Sequence, residues 1–93
     1  MNHIIMIAFQ LNGATGYYGP FFAAIGRSQY TWKHLNNTWF VWGPKNALQW
    51  QNDLLPLILK GDQLLIMDVD VRAVQGFLVK PAFDWFSKIQ RPR

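Results

Sequence analysis

Along the first third of the chain, the pattern of apolar and polar residues is typical first of a strand and then of a helix. Residues 3–11 are rich in isoleucine and end at the turn-forming pair Asn12-Gly13, which predicts a first strand. A helix is predicted next, with Pro20 in its first turn, where a missing N–H costs nothing. Its apolar stripe recurs at helical spacing and consists of Tyr18, Phe21, Phe22 and Ile25.

The middle of the chain predicts two further strands and a second helix. Residues 30–43 are dense in Trp, Thr, Val and Phe, so they are extended. Either Asn36-Asn37 closes a tight hairpin between two short strands, or the segment is one long bent strand. Pro44 then opens a helix at its N1 position, and the helix ends near Leu55 because Pro56 cannot continue the ladder. The core stripe of this helix is Ala47, Trp50, Leu54 and Leu57 or Ile58.

The last third predicts one strand and a short terminal helix. The Gly61-Asp62 turn leads into a strand over residues 63–71, and Pro81 begins a helix. The buried side of that helix is predicted to contain Phe83, Phe86 and Ile89. The order β-α-β-β-α-β is the ferredoxin-like α+β pattern, an antiparallel sheet of order 4-1-3-2 with two helices on one face. Its 93 residues predict a single domain, 1–93.

The predicted strands are apolar on both faces. In the first strand, Ile4 and Met6 lie opposite Ile5 and Ile7. Two helices cover only one face of a sheet, and exposed apolar patches usually mark an interface. We therefore expect the C-terminal helix to cover part of the second face and a second copy to cover the rest, in a symmetric homodimer. The alternative is a monomer whose sheet is covered by its own terminal helix.

Composition narrows the class of protein. With 51% hydrophobic and 15% charged residues, the chain is not of the disordered class. The absence of cysteine excludes a disulfide scaffold and a zinc–thiolate site. No apolar run approaches the roughly 20 residues of a spanning helix, and no signal peptide is visible. We therefore expect a cytoplasmic protein without a membrane partner.

Cationic and aromatic side chains are the candidate nucleic-acid contacts. A net charge of +4 is compatible with RNA or DNA as a partner but does not require one. The candidate phosphate contacts are Arg27, Lys33, Lys45 and Arg72. Trp32 and Trp42 are candidate platforms for base stacking, with core or dimer packing as the alternative for each.

Short motifs at fixed positions extend over nearly the whole chain. They are Phe9-Gln10-Leu11-Asn12, Tyr18 with Ala24-Ile25, Trp32, His34-Leu35, Thr38-Trp39, Asp62-Gln63-Leu64-Leu65, Asp68-Val69, Gly76-Phe77 and Asp84-Trp85. In these motifs the chain resembles the SinR-like small bacterial proteins. That family belongs to a ferredoxin-like set with virulence-associated protein D and the small nuclease of CRISPR adaptation.

The resemblance implies a site at the end of the first strand. Nuclease relatives look like symmetric dimers in which the Asp of a Tyr-Asp-Leu-Asn motif holds a divalent metal between the subunits. Here that position is Gln10, and a neutral amide does not supply the negative charge that Mg²⁺ prefers. We therefore expect metal-dependent cleavage to be lost and no cofactor to be needed, with Mg²⁺ required only if the nuclease activity survives.

Two other groups could carry catalysis. His34 is a candidate general base for metal-independent RNA cleavage, beside Lys33 and the hydroxyl of Thr38 or Tyr30. Asp68 and Asp70 share one face of the last strand near His3 and form a candidate metal or acid–base site, which His34 could join if the hairpin forms. A salt bridge or a solvated pair is the ordinary alternative.

Three functions remain open from the sequence. The first is a dimeric nucleic-acid-interacting protein that has lost metal-dependent cleavage. The second is an active endoribonuclease that uses His34 or the Asp68/Asp70 edge. The third is a toxin–antitoxin or regulatory module that acts by binding another protein.

Overall fold

The structure is a computed structural model, and it describes residues 2–28, 30–69 and 84–86. The strands within these residues are β1 (His3–Gln10), β2 (Tyr30–Trp32), β3 (Thr38–Gly43) and β4 (Gln63–Asp68). The helices are α1 (Gly19–Gly26) and α2 (Ala47–Leu54). A 3-10 turn at Thr15–Tyr18 precedes α1, and another at Leu55–Leu57 follows α2. Neither described helix is long and apolar enough to cross a membrane.

The described strands form one antiparallel sheet in the order β2-β3-β1-β4, which reads 4-1-3-2 from the β4 edge. In the registers of β1, Ile5 lies opposite Val41 of β3 and opposite Asp68 of β4. The prediction of an α+β chain with an antiparallel sheet and helices is confirmed. The element order is consistent with a ferredoxin-like type of fold.

The main core lies between one face of the sheet and the two helices. Alternate residues of β1 point to the helices because successive strand side chains face opposite sides. The buried cluster consists of Ile5, Ile7, Phe9, Tyr18, Phe21, Ala24, Ile25, Val41, Trp50 and Leu54. Of the predicted stripe of α1, Tyr18, Phe21 and Ile25 are buried and Phe22 packs partly buried against the cluster.

A second, smaller cluster lies on the opposite face of the sheet. Trp32 of β2 is only 1% exposed, and its ring packs against Phe86 and Phe40 at centroid distances of 5.5 and 5.1 Å. Ile4 and Trp85 pack around this pair. Residues 84–86 therefore cover the part of this face around Trp32 and Phe40, as expected for a contribution from the C-terminal segment.

Local sequence details differ from the predictions at two places. Pro44 does not begin α2, because Asn46 caps the helix in a reciprocal capping box with Gln49. The β2–β3 connection is a hairpin between two strands, but its loop spans residues 33–37 instead of a tight two-residue turn. No described residue other than glycine has a positive φ, so Asn36 and Asn37 do not form the expected left-handed turn.

Two predicted boundaries are only partly within the described residues. β4 is confirmed from Gln63, and beyond its last strand residue the N–H of Val69 still donates to the carbonyl of Ile4 at 2.9 Å. The rest of the predicted strand 63–71 lies outside the described residues. The same holds for the start of the terminal helix at Pro81, although residues 84–86 are helical.

Candidate nucleic-acid interface

A cleft with a volume of about 370 Å³ opens at the end of the sheet where β1 begins and β3 ends. We call it the aromatic cleft. Its lining comes from the carboxyl end of α1, the start of β2, the end of β3 and the approach to α2. The lining residues are Asn2, Ala24, Arg27, Ser28, Tyr30, Trp42, Gly43, Pro44, Lys45 and Trp50. Cavities that hold small ligands measure roughly 300–1,000 Å³, so this volume is at the lower end of that range.

Three aromatic rings contribute to the walls of the aromatic cleft. Tyr30 and Trp42 are cross-strand partners, and their rings meet edge to face with centroids 5.0 Å apart. Tyr30 is 40% exposed and Trp42 is partly buried, whereas Trp50 is only 5% exposed. The cleft therefore offers ring surface that solvent reaches on one side and a buried indole on the other.

Two cations line the same cleft. Arg27 follows the last residue of α1 and is exposed, and within the described residues its side chain makes no salt bridge. Lys45 is engaged differently, because its ammonium pairs with the Asp53 carboxylate and lies 4.6 Å from the centre of the Trp50 ring. The aromatic cleft thus brings together two predicted phosphate contacts and one predicted stacking residue.

The remaining predicted contacts are elsewhere. Lys33 lies in the β2–β3 loop, and its ammonium is 5.5 Å from the Trp39 ring. Since Thr38 pairs with Ala8 and Gly43 with His3, this loop is at the opposite end of the sheet, about 17 Å away by the rise per strand residue. Arg72 lies outside the described residues.

Trp32 is not available as a stacking platform in this conformation. Its ring packs against the rings of Phe86 and Phe40, and only 1% of the residue is exposed. The packing alternative for Trp32 is the one observed. Trp42 lies on the same face, yet it retains contact with the aromatic cleft.

His34 is exposed in the β2–β3 loop. Its ring packs edge to face on Trp32 with centroids 5.1 Å apart, and no described group donates to it, accepts from it or pairs with it. A general base is ordinarily oriented by a further hydrogen-bonded group. Tyr30, one of its two candidate hydroxyls, lies at the aromatic-cleft end of the sheet, away from His34.

His3 and Asp68 form the predicted pair at the start of β1. The Nδ1 atom of His3 lies 3.0 Å from Oδ1 of Asp68, with both side chains partly exposed. His34 cannot join them, because the hairpin loop lies at the other end of the sheet. Asp70 is outside the described residues, and the described residues contain no group of three or more His, Asp or Glu side chains that could hold a metal ion.

The end of β1 does not fit a Mg²⁺ ion. Gln10 is exposed and pairs in register with Gln63. Among the described residues, the neighbouring carboxylate is that of Asp62, which immediately precedes β4. That carboxylate already accepts hydrogen bonds from the Asn12 N–H, the Leu59 N–H and the Tyr18 hydroxyl, at 2.7 to 2.8 Å. Mg²⁺ prefers carboxylate ligands, but Gln10 is a neutral amide and the Asp62 carboxylate already accepts three hydrogen bonds.

The Asp62 network was not predicted from the sequence. Burial alone would raise the pKa of the Asp62 carboxyl, but the three hydrogen bonds that it accepts outweigh burial and hold the pKa below its ordinary value of 3.8. Burial, followed by the hydrogen bond to Asp62, raises the pKa of the Tyr18 hydroxyl. In the sequence, the only sign of this network is an aspartate after a turn glycine, and that sign does not indicate which groups donate to its carboxylate.

Comparison of the chain with protein-family models, curated proteins and solved structures gives no match.

Proposed function

We propose that this chain is a small ferredoxin-like protein that binds nucleic acid through the aromatic cleft. The observation that supports the proposal is the meeting of Arg27, Lys45 and Trp42 at one end of the sheet. Cations that contact phosphates and rings on which bases stack are the two elements of single-strand binding sites. The net charge of +4 adds long-range attraction for a polyanion.

The SinR-like resemblance belongs to the same proposal. Its motifs and the α+β element order support a ferredoxin-like relative of the nuclease families named above. Gln10 and the engaged carboxylate of Asp62 support the loss of metal-dependent cleavage. On this proposal the protein binds nucleic acid and needs no cofactor for binding.

A homodimer is part of the proposal. On the sheet face opposite the helices, Leu65 is 53% exposed and Met67 is 46% exposed, both on β4. Residues of this kind on one strand face are typical of surfaces that a partner covers. A second copy of the chain is the partner that we propose, and the mass measured by light scattering tests it: a monomer at micromolar concentration would contradict the dimer.

Fluorescence anisotropy with labelled RNA and DNA tests binding. We expect micromolar or tighter binding that weakens with salt, because phosphate contacts release counterions. Arg27→Ala should reduce the slope of log K against log salt by about one unit. Lys60→Ala removes the same charge from an exposed position near the start of β4, at the opposite end of the sheet, and should change affinity less.

Two other functions are outcomes of the same experiments. Absence of salt-dependent binding to both RNA and DNA would contradict nucleic-acid binding and would favour a toxin–antitoxin or regulatory role, detected as a co-purifying protein. Incubation of labelled RNA with and without EDTA tests cleavage. Cleavage that His34→Ala abolishes would establish the endoribonuclease alternative.

A further inference from the structure

We propose, on the basis of the proposed function, that the aromatic cleft is a pocket for one unpaired nucleotide. In this pocket the base packs against Trp42 and Tyr30, and Arg27 contacts the adjoining phosphate. The ligand class is a nucleotide whose base is not paired in a duplex.

The size and shape of the aromatic cleft support a single nucleotide. Its volume of about 370 Å³ accommodates one small ligand group but not a base pair with its stacked neighbours. A base inside a duplex reaches such a recess only after it is unstacked and unpaired, which costs a few kcal/mol. An unpaired base avoids that cost, so a single strand should bind more tightly than a duplex.

The aromatic wall of the cleft is suited to any of the four bases, so we expect little sequence preference. Tyr30 and Trp42 meet at an interplanar angle of 70°, so the two rings form a corner instead of a parallel stack. Each nucleobase has a π face that can pack on an indole, and base–aromatic stacking therefore tolerates all four bases.

The two cations have different parts in this pocket. Arg27 has no described salt bridge, and a guanidinium matches a phosphate with two parallel hydrogen bonds. Lys45 is already paired with Asp53, so a phosphate must compete with that carboxylate for the ammonium. Asp53 therefore weakens binding, and Asp53→Asn should strengthen it.

The first test uses wild-type protein and fluorescein-labelled oligonucleotides of equal length. We expect the single strand to bind at least about tenfold more tightly than the blunt duplex, with a further loss for an abasic single strand. Equal affinity for single strand and duplex would overturn the nucleotide pocket and leave nucleic-acid binding intact. Absence of binding to every oligonucleotide would overturn nucleic-acid binding, and it would overturn the pocket as well if free nucleotide also failed to bind.

The second test uses variants of the cleft. Trp42→Ala should weaken single-strand binding roughly 5- to 150-fold, the range of one lost base stack, whereas Trp42→Phe should restore most of it. Duplex binding should change little in either variant. Circular dichroism verifies folding, and if Trp42→Ala does not fold, the comparison of abasic with intact single strands on the wild-type protein decides. Equal losses for single strand and duplex in Trp42→Ala, or equal affinity of the wild-type protein for abasic and intact single strands, would contradict base packing.

The third test separates the two sources of an unpaired nucleotide. A free nucleoside monophosphate is added in competition with the labelled single strand, and its binding is also measured directly by calorimetry. Competition at millimolar concentration would support the pocket with the strand as the tighter ligand. Binding of the free nucleotide without any binding of strands would support the pocket but overturn the proposed function.

Discussion

Replacement of Gly13 by alanine tests the network that joins the end of β1 to the start of β4. A Cβ atom at residue 13 would lie 2.7 Å from the Tyr18 hydroxyl oxygen and 2.5 Å from a methyl group of Leu59. The methyl group can rotate away. The hydroxyl cannot move without loss, because it accepts from the Gly13 N–H and donates to Asp62 at 2.7 Å in both cases.

The expected cost follows from these contacts. Gly13 does not have a positive φ, so alanine fits the backbone and would by itself stabilise the protein by about 0.4–1 kcal/mol through the unfolded state. Overpacking typically costs about 1–3 kcal/mol, which exceeds that gain. We expect a net loss of about 1–2 kcal/mol, because the gain offsets part of the clash. For a domain of this size that loss lowers Tm by about 4–16 °C.

Thermal unfolding monitored by circular dichroism measures the effect, and Gly16→Ala is the matched control. A Cβ atom at Gly16 would meet nothing within 4 Å, so its Tm should change by only a few degrees. The clash also requires the hydroxyl, and Gly13→Ala should therefore cost less in a Tyr18→Phe background. A Tm for Gly13→Ala at or above that of wild type would refute the reasoning.

Two further predictions concern pH and helix capping. Because the pKa of Asp62 is lowered in the folded state, its stabilising contribution is complete above about pH 4 and is lost as pH falls through the lowered pKa. Asp62→Asn should therefore flatten the acid limb of a plot of the free energy of unfolding against pH. An acid limb unchanged by Asp62→Asn would contradict this. Asn46→Ala removes the cap of α2 and should cost about 1 kcal/mol in urea unfolding, whereas Asn52→Ala within the helix should cost nothing; equal losses would contradict the cap.

The elements of the fold were predictable where the signal is local. The apolar run of residues 3–11 predicts β1 by itself. Because both faces of that run are apolar, the pattern does not tell which side chains meet the helices, and the structure shows that they are Ile5, Ile7 and Phe9. The start of α2 was predicted at the wrong residue because two helix-start signals stand close together. Asn46 with Gln49 satisfies the free N–H groups of the first turn, which Pro44 cannot do.

The residue types of the candidate site could be predicted from the sequence, but which of these side chains are buried, paired or brought together could not. Trp32 and Trp42 were equivalent candidates and face the same side of the sheet, yet Phe86, more than 50 positions along the chain from Trp32, buries only the first. Lys45 is a predicted phosphate contact, whereas in the structure its ammonium pairs with Asp53, eight positions further along the chain. These outcomes depend on contacts that no short window of sequence contains.

The contact between Trp32 and Phe86 has a consequence for the order in which this fold is completed during translation. The side of the sheet that meets α1 and α2 can form before Phe86 is synthesised, since both helices and the four described strands end by Asp68. The opposite side cannot be completed until Phe86 has been synthesised, more than 50 residues after Trp32. Until then a nascent chain lacks the Phe86 ring that packs on Trp32 and Phe40, so these two side chains are more exposed to solvent than in the folded protein.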